Sequence, residues 1–224
     1  MKVAILGSGG REHALCHTLN KSNKISKIYS IPGNAGTDKI SENINIDLNN
    51  FDGLKDFIVK SKIELVIVGP EKPLVDGLVD FLNKNKIRVF GPNKAASQLE
   101  GSKIFTKKLC KENNIPTANF GIFTNKQNAI NFLSDAKYPI VIKADGLAAG
   151  KGVYISQNYA QSLIAIDEIF NGKFGKADVI LIEEFLKGEE MSFFVISDGK
   201  VFKEFGTAQD HKRVFEGDRG KNTG

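Results

Sequence analysis

The sequence is poor in the residues that usually announce a mechanism. It has no tryptophan, two cysteines, two methionines and three histidines in 224 residues. Cys16 and Cys110 lie far apart, so no disulfide framework is expected, and two ordinary thiols in a reducing compartment are. The histidines have no spacing that pairs them, which leaves His211 a weak metal candidate. No Ser/His/Asp or Cys/His arrangement suggests a nucleophile. No apolar run is long enough for a membrane span. The opening run, residues 2–6, is cut short by glycines and does not make a signal peptide. A cytoplasmic protein with no membrane partner is the expectation. The net charge is +5, yet no basic stretch of five or more residues occurs. Nucleic acid is therefore not expected as a partner, and small anionic substrates account for the excess equally well.

What is present is an ordinary globular composition, 41% hydrophobic and 25% charged. Short apolar runs at 3–6, 27–31, 65–68 and 88–90 read as strands, and 11–20, 51–60 and 76–83 as helices. On the first helix, Ala14, Leu15 and Leu19 form the expected core face. This alternation predicts an α/β fold with a doubly wound parallel sheet over 1–101. A second region over 102–224 opens with a helix capped by Ser102. It continues with strands at 120–123, 140–143, 153–155 and 179–184, helices at 128–134 and 160–170, and a hairpin turning at Asp198-Gly199.

Glycine clusters mark the ends of the early strands, where such sheets bind ligands. Gly7-Ser8-Gly9-Gly10 follows a strand and opens a helix, so Gly9, Gly10 and Arg11 face the site where a phosphate can sit. A nicotinamide cofactor is disfavoured, because Glu12 replaces the third glycine of the dinucleotide pattern and would repel a pyrophosphate. A phosphorylated small substrate, or a plain tight turn, remains. Gly33, Asn34, Gly36 and Thr37 supply amides and a hydroxyl at the same edge, and Glu71 an isolated carboxylate in a rigid turn. Farther on, Lys143 precedes a flap containing Gly146, Gly150, Lys151 and Gly152, which can fold over phosphates although it is not a P-loop. Glu183 and the following strand edge offer an acceptor and a donor to adenine, and Glu190 can accept from ribose hydroxyls. Asp210 and Arg213 can clamp a zwitterion, and Lys212 lies between them.

These segments resemble the phosphoribosylamine–glycine ligase family, the glycinamide ribonucleotide synthetases of the ATP-grasp class. The matching stretches are GSGGREHA at 7–14, PGNAGT at 32–37, VGPEKPL at 68–74, LEGSKIFT at 99–106, IKADGLAAGKGV at 142–153, IEEFL at 182–186 and QDHKR at 209–213. They run the length of the chain in order. The resemblance implies a pre-ATP-grasp domain at 1–101 and a truncated ATP-grasp region at 102–224 with a lid at about 123–187. It implies a ligase of purine biosynthesis, monomeric at full length, that joins glycine to 5-phosphoribosylamine with ATP. Lys103 and Lys143 then resemble phosphate-contacting lysines, Glu183 the acid at adenine N6, Leu186 the N–H at N1, and Glu190 the ribose acid. The loops of the first domain resemble the phosphoribosylamine site, and Asp210 lies where glycine is expected. Family members continue beyond this sequence, and magnesium (or manganese) is expected to be held by a Glu and an Asn in that part. The chain alone is accordingly expected not to complete the reaction. The alternative is a non-catalytic or split-enzyme nucleotide-binding fragment.

Overall fold

The computed structural model describes all residues except 148–151, 175–178, 212, 218 and 223–224, with backbone alone at 213 and 219–222. The described chain forms two compact units. The first comprises Met1–Thr117 with Asp145–Leu147, and the second begins at Ala118.

The first unit holds a five-stranded parallel sheet in the order β3-β2-β1-β4-β5. Its strands are β1 (Lys2–Gly7), β2 (Lys27–Pro32), β3 (Glu42–Asn43), β4 (Leu65–Val68) and β5 (Val89–Phe90). The period of two along β1 sends Val3 and Ile5 to one face and Ala4 and Leu6 to the other. The first face packs on α1 (Gly10–Leu19), the second on α2 (Phe51–Lys60) and α4 (Leu78–Lys84). The doubly wound reading is thus correct, with changes in detail. On α1 the fully buried residue is Cys16, flanked by Leu15 and Leu19, while Ala14 is exposed. The helix expected at 76–83 is α4; before it, where a rigid turn was expected, stands a further helix, α3 (Glu71–Asp76), which Gly77 ends in a left-handed conformation (φ 96°). Strand β3 and helix α5 (Lys94–Gly101) also escaped the sequence reading.

Helix α6 (Lys103–Glu112) belongs to the first unit, so the compact body extends past residue 101. The reason is a set of bonds at its N-terminus. The Ser102 hydroxyl donates to the Asp145 carboxylate at 3.0 Å, and Ile104 N–H donates to it at 3.2 Å. A carboxylate there also meets the positive end of the helix.

The second unit has a four-stranded antiparallel sheet, β6-β9-β7-β8. The strands are β6 (Phe120–Phe123), β7 (Ile140–Ala144), β8 (Val153–Ser156) and β9 (Ile180–Glu184). Ile140, Ile142, Ala144, Ile180 and Ile182 pack in one core with residues of α7 (Lys126–Phe132) and α8 (Tyr159–Phe170). A hairpin follows, β10 (Ser192–Ser197) and β11 (Phe202–Ala208), turning where Asp198 accepts from Lys200 N–H and Val201 N–H. Phe193, Phe194, Phe202 and Phe205 on it are exposed. A short pair, β12 (Arg213–Phe215) and β13 (Arg219–Asn222), completes the order and had no counterpart in the sequence reading.

The tightest packing lies at the carboxyl edge of the first sheet. Glu12 is only 4% exposed and folds back to accept from Gly9 N–H at 2.6 Å. A Cβ on Gly69 would sit 2.0 Å from its Oε1. Gly69→Ala should therefore push the carboxylate off Gly9 and cost about 1–3 kcal/mol, the range for a charged hydrogen bond lost at a buried group. In a Glu12→Ala background the same change should cost less than about 0.5 kcal/mol. Denaturant unfolding of the four proteins measures the coupling, and an undiminished penalty would assign it to another contact.

Candidate functional site

Three loops converge on the carboxyl edge of the first sheet, after the neighbouring strands β2, β1 and β4. At Gly7-Ser8-Gly9-Gly10 the expected repulsive acid points elsewhere. Glu12 turns inward and consumes the Gly9 amide, so it acts as a cap on α1. That removes one of the N–H groups assigned to an anion. Arg11 stays exposed and reaches across to β4. Its guanidinium donates to Gly69 O at 3.0 Å and to the Glu71 carboxylate at 2.9 Å. Glu71 is therefore ion-paired, not isolated as its sequence suggested. The hydrogen bond that Arg11 donates to Glu71 raises the pKa of Arg11. Burial alone would push the Glu71 carboxyl up, but its own backbone N–H and Arg11 bring it below its ordinary value.

The β2–α loop corrects two further expectations. Asn34 accepts at Oδ1 from Gly36 N–H (2.7 Å) and Thr37 N–H (3.0 Å), forming an Asx turn. Its Nδ2 donates to Ser8 O at 2.9 Å and Gly9 O at 3.3 Å. Thr37 is fully buried and its hydroxyl is used inside the loop. Both side chains shape the loop; neither presents its polar end to a ligand in this conformation. The Gly33 and Gly36 N–H groups are engaged as well, on Gly7 O at 3.2 Å and on Asn34 Oδ1.

In the second unit, alternation selects the charged pair. Ile140, Ile142, Ile180 and Ile182 take the helix-covered face, so Val141, Lys143, Leu181 and Glu183 take the other. Lys143 pairs with Leu181 and Val141 with Glu183 in the register, which makes Lys143 and Glu183 diagonal neighbours. They form an ion pair, with Glu183 5% exposed and Lys143 26%. The next residue, Glu184, is exposed and accepts from Asn119 N–H at 3.0 Å and Asn119 Nδ2 at 3.2 Å. This fixes the strand at the point where it leaves the sheet. Leu186 is 64% exposed just beyond, and Glu190 is exposed ahead of β10. The arrangement offers a buried ion pair, irregular backbone just past β9 and a surface carboxylate within one short stretch.

The flap joins β7 to β8. Ala144 N–H donates to Gly152 O at 2.9 Å at its base. Gly146 has φ 92° and accepts at its carbonyl from Lys103 Nζ at 2.8 Å. That lysine, expected on phosphate, is engaged on the chain at this point. Gly150 and Lys151 lie outside the described residues, as do Lys212 and the Arg213 side chain. Asp210 is exposed after β11. Among the described residues no cluster of three or more His, Cys, Asp or Glu side chains could hold a metal ion. Among them, too, no helix is long and apolar enough to cross a membrane. Sequence reasoning missed Glu12 as a cap, Asn43 and Asp145. For Glu12 a local signal exists, an acid three residues after the residue that begins the helix. For the other two, the partners lie 6 to 43 residues away and leave no local trace.

Comparison with known proteins joins these clusters. Residues 1–100 match the phosphoribosylglycinamide synthetase N domain, and residues 101–224 its ATP-grasp (A) domain. The phosphoribosylamine–glycine ligase of Mesorhizobium japonicum is 50% identical over 100% of this chain and 53% of its own length. The crystal structure of phosphoribosylamine–glycine ligase from Thermotoga maritima is similar at a TM-score of 0.83 and 32% identity, covering 100% of this chain and 54% of that one. The biotin carboxylase domain of Hydrogenobacter thermophilus 2-oxoglutarate carboxylase, solved with MgADP, reaches a TM-score of 0.72 at 18% identity. It covers 95% of this chain and 50% of that one, and speaks for the fold alone. The chain spans about half the length of the curated relatives it matches. With both domains matched in order, this chain belongs to the phosphoribosylglycinamide synthetase family.

Proposed function

We propose that the chain serves the ATP-dependent ligation of glycine to 5-phosphoribosylamine, yielding glycinamide ribonucleotide, ADP and phosphate. The observation that carries this reading is the buried Lys143–Glu183 pair on the second sheet's face opposite α7 and α8, in the segment matched by the ATP-grasp domain. Lys143 would shift its ammonium toward the nucleotide phosphates, where positive charge offsets the charge that spreads during transfer. Glu183 would accept from adenine N6, Leu186 N–H would donate to N1, and Glu190 would accept from the ribose hydroxyls. Lys103 and the amides of Gly146, Gly150 and Gly152 would cover the phosphates, with Lys151 beside them.

Chemically, a glycine carboxylate oxygen attacks the terminal phosphorus and ADP leaves. The amine nitrogen of the second substrate attacks the acyl carbon, phosphate departs, and the nitrogen loses a proton. Asp210 would hold the glycine ammonium and Arg213, with Lys212, its carboxylate. Arg11 and the Gly10 amide would hold the phosphoribosyl amine beside the loop of residues 33–36, with Glu71 keeping Arg11 in place. Magnesium supplies charge neutralisation when ATP binds. The described residues offer it no cluster of ligands, so no step is assigned to it.

ATP affinity tests the nucleotide end. Lys143→Ala and Glu190→Ala should each raise the dissociation constant roughly ten- to a hundredfold, the loss of one charge-assisted bond. Lys143→Ala should also lower stability, since it takes the ammonium from a buried carboxylate. Glu190 is exposed, and its variant should stay within about 0.5 kcal/mol of the wild type. Unchanged ATP affinity in both variants, by calorimetry, would remove the assignment.

The Arg11–Glu71 pair gives a pH signature. The two side chains are 64% and 46% exposed, so Glu71→Gln should cost under about 1 kcal/mol at pH 7. The folded carboxyl titrates below its ordinary value. Its contribution is thus present above the ordinary carboxylate pKa and is lost as pH falls through the lower, folded value. The stability gap between wild type and Glu71→Gln should shrink on acidification. A gap that widens toward acid would contradict the pair's role.

A further inference from the structure

The loop that carries Gly33, Asn34 and Gly36 is held by a residue outside it. Asn43 lies on the short edge strand β3. Its Nδ2 donates to Asn34 O at 2.8 Å, and its Oδ1 accepts from the Thr37 hydroxyl at 2.8 Å. Asn34 N–H donates in turn to the Thr37 hydroxyl at 2.7 Å. The result is a closed ring that fixes both backbone groups of Asn34 through one carboxamide. Only a side chain with a donor and an acceptor in one plane can complete it. The Gly33 backbone runs hard against the same group, since a Cβ there would lie 2.3 Å from Asn43 Oδ1. On the other side, a Cβ at Gly36 would lie 2.6 Å from the His13 ring. The loop backbone has no room to drift either way.

We infer that Asn43 is a positioning residue for the phosphoribosyl end of the substrate. It touches no ligand. It sets where the backbone of Gly33 and Gly36 stands against the Ser8-Gly9 turn, to which Asn34 Nδ2 ties the loop. Binding sites lose affinity when their contacts are present but loosely held. The inference rests on the proposal that these sheet-edge loops hold the phosphoribosyl amine.

The test uses ribose 5-phosphate as a stable probe, with calorimetric affinity measured on the chain well below its melting temperature. Asn43→Asp keeps the acceptor and loses the donor; Asn43→Ala loses both. Each should weaken ribose 5-phosphate roughly tenfold or more, the effect of a lost buried hydrogen bond. Amides of residues 33–37 should exchange faster in both variants. Affinity for an ATP analogue should stay within about twofold, because its contacts lie elsewhere. Ribose 5-phosphate affinity unchanged while the loop amides exchange faster overturns the inference, because loop order would then not govern binding. Equal weakening of both ligands also overturns it, as a general loss of structure. Arg11→Ala separates the two levels. If it weakens ribose 5-phosphate and the Asn43 variants do not, the positioning role alone fails. If neither it nor they have an effect, or the wild type shows no binding, the reading of the site fails with it.

Discussion

The buried carboxylate of Glu12 governs the geometry of the first sheet's carboxyl edge. A charge that is 4% exposed must be compensated, and it finds the Gly9 amide at the start of its own helix. That choice decides what the surrounding chain can be. A Cβ on Gly7, Gly9 or Gly69 would come within 3 Å of the Glu12 side chain. These glycines, from two separate segments, thus meet one packing requirement and are not independent signals of a flexible loop. With the helix terminus occupied by a carboxylate, the loop's capacity for anions passes to Arg11 and to the amides that remain.

The second unit solves a different problem by the same economy. Two antiparallel strands bury isoleucines under α7 and α8, and the period of two then forces their other side chains onto one opposite face. A lysine and a glutamate there can neutralise each other before any ligand arrives. A buried ion pair is rarely a strong source of stability, because desolvation cancels much of the attraction. On the proposed reading, nucleotide phosphates would compete with Glu183 for the ammonium.

Much of this was legible in the sequence because it was local. Strand and helix alternation gave α2 and β4 with their observed bounds, and Ser102 signalled its own cap by accepting from Phe105 N–H at 3.1 Å. The turn at Asp198-Gly199 followed from its residue types. Other features failed for stated reasons. Helix α3 was read as a turn, because its six residues include Pro73 and are too few for a helical period to register. On α1 the leucines were placed correctly, but Cys16 and Glu12 are buried while Ala14, counted in the core face, is exposed. Strand β3 spans two residues, too short for any period to register.

The site shows a more general limit. A motif marks residues that matter together, without saying which of them touch the ligand. Asn34, Thr37 and Glu71 stand in such motifs, and each has its polar group engaged by a neighbour: an Asx turn, a buried ring of hydrogen bonds, an ion pair. Lys103 likewise donates to Gly146 O. Leu186, Glu190 and Asp210 are exposed on irregular segments. Side chains already engaged hold loops in place before binding, so less order remains to be imposed when the ligand arrives. Assigning every polar motif residue a ligand contact therefore overstates the recognition surface and understates the scaffold that aims it.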